Sequence, residues 1–212
     1  RSTLFPYTTL FRSTNRAEAL FRQGWDDYQR LGDLLSAGRA AGDPVRAAVA
    51  RLGGGLLPDE VERYSDFVAI FLRSVIRFMD TPAVISNEAP NLNGDAPKYA
   101  VSQRLMGDIV MVTGLLAQEN MFVEMAKRYS HEDIHTVDEM ATDSLGEFLN
   151  VVNGLFIVDM ARQDLEIDLR LPRVEENVLP TGNRQITLNI YTAFGNFALV
   201  IAADEFVFKG KD

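Results

Sequence analysis

The chain has 212 residues, 47% of them hydrophobic, enough to bury one sizeable core with a small helical appendage. Its 21 basic and 30 acidic side chains leave a net charge of −9 with no local basic cluster, so nucleic acid and anionic membranes are poor partners. Cysteine is absent, which excludes disulfides, thiolate metal sites and cysteine nucleophiles and suits a reducing, cytoplasmic setting.

Residues 1–13, RSTLFPYTTLFRS, have no hydrophobic period and resemble the translation of a sequencing adapter, so they are set aside as an artefact and the natural start of the chain is left open. Residues 14–57 read as a helical connector whose natural beginning is left open. Asn15 caps a helix with Glu18 at its third position, and Phe21, Trp25, Tyr28, Leu31 and Leu35 share one face. A short helix from Pro44 to about Leu52 then runs into Gly53, Gly54 and Gly55, where the domain boundary is placed.

The main domain, 58–212, opens with an amphipathic helix over Asp59 to Met79, whose apolar run is interrupted by Arg73 and Arg77. The longest apolar helix is thus broken by charge, and no membrane crossing is expected. Pro82 to Pro97 reads as an irregular connection. KYAVS and GDIVMVTGLLA form a paired meander, and ENMFVEMAKRYS a helix with Met121, Phe122, Met125 and Tyr129 inward. Met106, Met111 and Met140 are also assigned to core filling. A further helix covers about Val137 to Met160. In LEIDLRL, Leu165, Ile167, Leu169 and Leu171 alternate onto one face, and QITLNIYTA and NFALVIAA pair around Phe194, Gly195 and Asn196. The expected class is α+β: a largely antiparallel sheet packed with long helices.

The 137–160 helix carries two stripes. Ala141, Leu145, Phe148, Val152, Leu155 and Phe156 form the expected core face, and Asp143, Glu147, Asn150 and Gly154 lie together opposite it. A merely solvated face favours Lys, Glu, Gln or Ala, whereas Asn costs a few tenths of a kcal/mol and Gly about 1 kcal/mol relative to Ala. Gly146 adds a second penalty. Short side chains keep the helix surface low beside Glu147 and Asn150, as a docking face requires.

DSLGEFLNVVNG, followed by LPRV, resembles the CheX/CheC/FliY family of chemotaxis phosphatases. Asp143, Glu147 and Asn150 match that family's motif in type and spacing, while Pro172 arrives one residue earlier than usual. The resemblance extends over about Pro58 to Phe208. No other expected helix carries a second Glu-x-x-Asn, since Glu62 is followed three on by Ser65 and Glu124 by Lys127, which resembles the single-copy CheX type.

What the resemblance implies is hydrolysis of the aspartyl phosphate of a CheY-like response regulator. Asn150 would position the attacking water, and Glu147 would pair with a basic side chain of the regulator. Asp143, Glu147 and Gly154 would contact the partner. Mg²⁺ would sit on the regulator, with no cofactor bound by this chain, and the domain would form a homodimer through its sheet. The alternative is a non-catalytic adaptor of the same fold that dimerises or binds a signalling partner.

HEDIH competes for attention, because His131 and His135 have the i, i+4 spacing of zinc peptidases. Thr136 reads as the next helix's N-cap, with Glu139 completing a capping box, which leaves His135 outside regular helix. No third histidine exists in the chain, and no metal site is expected.

Overall fold

The computed structural model describes residues 44–86, 98–204 and 206–210. The adapter-like segment and the expected helix from Asn15 lie outside them. Helices α1 (Pro44–Leu52), α2 (Pro58–Met79), α3 (Glu119–Ser130) and α4 (Glu139–Ala161) pack on an antiparallel sheet. The strands are β1 (Ala83–Ser86), β2 (Lys98–Gly107), β3 (Met111–Gln118), β4 (Ile167–Leu169), β5 (Arg173–Glu176), β7 (Ile186–Thr192) and β8 (Gly195–Ala202). They run in the order β1-β7-β8-β3-β2-β4, with β5 also pairing β2. β6 (Val178–Thr181) and β9 (Val207–Gly210) form a separate two-stranded ribbon.

Period-2 alternation sorts the sheet residues onto two faces. Val101, Leu105, Met111, Leu115, Leu188, Ile190, Phe197 and Leu199 face the helices and join the main core. On the other face Ala100, Leu116, Ala198 and Val200 form a small cluster closed by Phe206. α1 contributes Val45 and Val49 to the main core across the glycine turn. At the centre, Phe71 of α2 meets Phe148 of α4 at 5.8 Å and Phe197 of β8 at 6.0 Å, both edge to face. α2 is pinned at its start by Glu60, whose Oε2 accepts from the Leu57 N–H at 2.8 Å while Oε1 pairs with Arg184 Nε at 2.7 Å.

The structure corrects several expectations. Pro82 to Pro97 is not all irregular: residues 83–86 pair with 189–192 as the edge strand β1. LEIDLRL is strand only over 167–169, where it pairs with β2, and Leu171 projects outward at 87% exposure instead of facing the core. The turn between β7 and β8 falls at Ala193 and Phe194, because Thr192 already pairs with Gly195. Met140 is exposed and Met106 half-buried, unlike the other three core methionines.

α4 is long and apolar enough to span a membrane by length and composition. It is also the helix around which the core is built, with Leu145, Phe148, Leu149, Val152 and Phe156 all fully buried. Its buried face includes Leu149, Asn153 and Met160 and leaves Leu155 outside at 45% exposure. The helix is therefore turned by about 50° from the orientation that its apolar stripe alone suggests. That rotation carries Asn153 into the core and brings Asn150 to the seam with the sheet.

Candidate functional site

α4 starts later than expected. Asp138, not Thr136, is the N-cap, its Oδ1 accepting from the Ala141 N–H at 2.9 Å. α3 ends at His131, which adopts a left-handed conformation (φ 61°) and donates its N–H to the Lys127 carbonyl at 3.0 Å. Residues 131–138 are not helical, so the two imidazoles of HEDIH are not stacked on one face. His135 Nε2 lies 3.1 Å from Asp133 Oδ2, both exposed, and no group of three or more His, Asp or Glu side chains among the described residues is arranged to hold a metal.

The polar stripe of α4 forms the floor of an open cleft of about 890 Å³. Asp143, Gly146, Glu147 and Asn150 lie on the floor, and Leu171, Pro172 and Val174 on the facing wall. The sequence motif and its distant proline thus meet in space. Gly146 is buried against the proline: a Cβ there would sit 3.5 Å from Pro172 Cβ, an ordinary contact, while longer side chains would push the wall away.

Gly154 is further along α4 and does not line the cleft. A methyl group at Gly154 would meet nothing within 4 Å. Gly154→Ala is expected to raise unfolding free energy by about 0.5–1 kcal/mol, the helix-propensity difference, in urea denaturation. Destabilisation would mean that the space above this position is filled by something else.

Asp143 and Glu147 are exposed, and Asn150 is half-buried. Asn150 Nδ2 donates to Glu147 Oε2 at 3.3 Å, so the two motif side chains stand side by side. The carboxylates of Asp138, Glu139, Asp143, Glu147 and Glu176 line the cleft without a lysine or arginine among its lining residues. Their summed field favours a basic partner surface. Below the floor, the Tyr129 phenol has its pKa raised, first by burial and then by the charge of Glu147.

Asn150 is held from beneath by residues that sequence reasoning missed. Its Oδ1 accepts from Gln103 Nε2 at 2.8 Å. Gln103 Nε2 also donates to the Arg170 carbonyl at 2.8 Å, and Gln103 Oε1 accepts from Asn153 Nδ2 at 2.7 Å. Asn153 Oδ1 in turn accepts from the Thr113 hydroxyl at 3.0 Å. Gln103 and Thr113 are directly opposite across β2 and β3, and both point toward α4 between apolar neighbours. The available signal was a polar residue at an inward position, Gln103 between Val101 and Leu105 and Thr113 between Met111 and Leu115.

The family model described as chemotaxis phosphatase CheX matches residues 99–182, which include Gln103, the α4 motif and Pro172. Among solved structures, CheX from Desulfovibrio desulfuricans aligns with a TM-score of 0.53 at 14% identity, over 70% of this chain and 99% of that one. CheX from Vibrio vulnificus aligns with a TM-score of 0.54 at 18% identity, over 66% and 95%. A complex of CheX with CheY, BeF₃ and Mg²⁺ from Borrelia burgdorferi aligns with a TM-score of 0.53 at 11% identity, over 69% and 97%. No curated protein sequence matches the chain.

Proposed function

We propose that the chain is a CheX-like member of the chemotaxis phosphatase family, whose model matches residues 99–182, and that it hydrolyses the aspartyl phosphate of a CheY-like response regulator. The observation that carries this reading is the adjacency of Glu147 and Asn150 on the floor of an acidic, open cleft, with the Asn150 amide held from below. An acyl phosphate is already reactive, so the phosphatase need supply little beyond an oriented water and a docking surface.

Asn150 makes one hydrogen bond through Oδ1 and one through Nδ2. That leaves one N–H and one lone pair for a water, the two contacts needed to aim it. Glu147, acceptor-only when ionised, pairs with a basic side chain beside the regulator's phosphorylated aspartate. Asp143 and the other rim carboxylates add to the attraction. Mg²⁺ belongs to the regulator in this scheme, and no ion is needed on this chain. That the related Borrelia burgdorferi CheX was captured with CheY supports the choice of partner. Homodimerisation through the sheet and a cytoplasmic setting complete the proposal, the former checked by sedimentation.

The reading separates binding from chemistry. Glu147→Ala is expected to weaken capture of the phosphorylated regulator by roughly 1.5–3 kcal/mol, the contribution of a charge-assisted contact that is partly desolvated. Activity at saturating regulator should largely recover. Calorimetric titration with a regulator held in its phosphorylated form, beside release of its phosphate, measures both. Unchanged affinity with lost turnover would move Glu147 from docking into the chemical step.

A further inference from the structure

We infer that Gln103 is a positioning residue for Asn150, and that the buried chain Thr113–Asn153–Gln103 fixes which end of the Asn150 amide faces the reacting group. The inference rests on the phosphatase reading for its kinetic consequence, although the geometry stands independently of it.

The chain has a single direction. Thr113 Oγ1 donates to Asn153, Asn153 to Gln103, Gln103 to Asn150, and Asn150 to Glu147. Two groups along it can only accept: the Arg170 backbone carbonyl and the ionised Glu147 carboxylate. The first requires Gln103 to present its NH₂ on that side, and the second requires Asn150 to present its NH₂ to Glu147. Turning the Asn150 amide over would oppose its oxygen to a carboxylate and its NH₂ to another NH₂. Both contacts would be repulsive.

This device is costly for a core. Thr113 and Asn153 are fully buried and Gln103 is 2% exposed, so each polar group must find a partner or destabilise the fold. A leucine at 103, between Val101 and Leu105, would pack without that demand. What the polar chain adds is a fixed amide at the surface, where an asparagine on a bare helix would rotate freely. The bond to the Arg170 carbonyl also ties Gln103 to the stretch just before Leu171 and Pro172, so the cleft's floor and wall share one anchor. Misplacing the aiming group by a fraction of its length is the kind of error that costs rate and spares affinity.

The test is a double-mutant cycle on the full chain with a phosphorylated CheY-like regulator. Gln103→Met should lower kcat about tenfold and leave KM within about twofold. In an Asn150→Ala background the same substitution should change kcat little, since the two residues act as one unit. A merely structural role would instead give additive losses, and additivity, or wild-type kcat in Gln103→Met, overturns the inference. If Gln103→Met does not fold, nuclear relaxation of the Asn150 side-chain Nδ2 group in the wild-type chain decides: restrained motion is expected, and free rotation overturns the inference. A wild-type chain without phosphatase activity would remove the phosphatase reading alone, and the relaxation result would still judge the anchoring of Asn150 by Gln103.

Discussion

Asn150→Ala should lower turnover of a phosphorylated CheY-like regulator by about 100-fold while leaving its capture nearly unchanged. Alanine removes the N–H and the lone pair proposed to aim the water but leaves the Glu147 carboxylate, the acidic cleft and the Leu171–Val174 wall in place. Asn150→Asp should fail as well, although it keeps the shape. Its carboxylate has no N–H to give to Glu147, 3.3 Å away in the wild type, and adds a like charge there. Gln163→Ala, at an exposed position beyond α4, is the control that should alter neither property. Because Asn150→Ala also leaves a Gln103 N–H without its partner, some loss of stability is expected, and turnover has to be measured well below the melting transition. Turnover within a few fold of wild type would remove Asn150 from the chemistry.

Phe71→Ala is expected to destabilise the domain by about 3–5 kcal/mol in urea denaturation, more than any of the substitutions in the cleft. Its ring is fully buried and touches three others, Phe67 at 6.5 Å, Phe148 at 5.8 Å and Phe197 at 6.0 Å. Those contacts join α2, α4 and β8, so neither helix can close the gap without leaving the sheet. Phe148 is adjacent in sequence to Glu147, so the cavity would also loosen the floor of the cleft. Phe78→Ala, at a half-buried ring on the edge of the core, should cost clearly less. Equal effects would mean that the packing centre is not where these rings place it.

The contrast between legible and hidden features follows from range. The long helices could be read because a period of 3.6 repeats over many residues, and β2, β3, β7 and β8 because their alternation and short turns are local. β1, β5, β6 and β9 have four residues each and exist through pairing with distant partners, such as Ala83 with Thr192 or Tyr99 with Glu176. No local pattern specifies such strands. The motif Asp143, Glu147 and Asn150 was visible because its spacing is helical. Its support was not, since Gln103 and Thr113 lie 47 and 40 residues from the asparagines they contact.

The orientation of α4 shows the same limit at a finer scale. Its apolar stripe includes Leu155 and excludes Asn153, and binary patterning alone would turn the helix accordingly. In the fold Asn153 is fully buried and Leu155 is 45% exposed, because the Gln103–Thr113 pair on the sheet satisfies the amide. A buried polar partner on another element overrode the hydrophobic pattern. The same rotation brought Asn150 within reach of Gln103, so the burial of Asn153 and the architecture of the site have one cause.

Whether the domain is a phosphatase is decided by the lifetime of the phosphoryl group on a radiolabelled CheY-like regulator from the same genome, with and without the wild-type chain, at equal Mg²⁺. Catalytic amounts of the chain are expected to shorten that lifetime, and Asn150→Ala to restore it nearly to that of the regulator alone. A wild-type chain that captures the phosphorylated regulator yet leaves the lifetime unchanged would contradict the phosphatase reading and identify the domain as a binding adaptor.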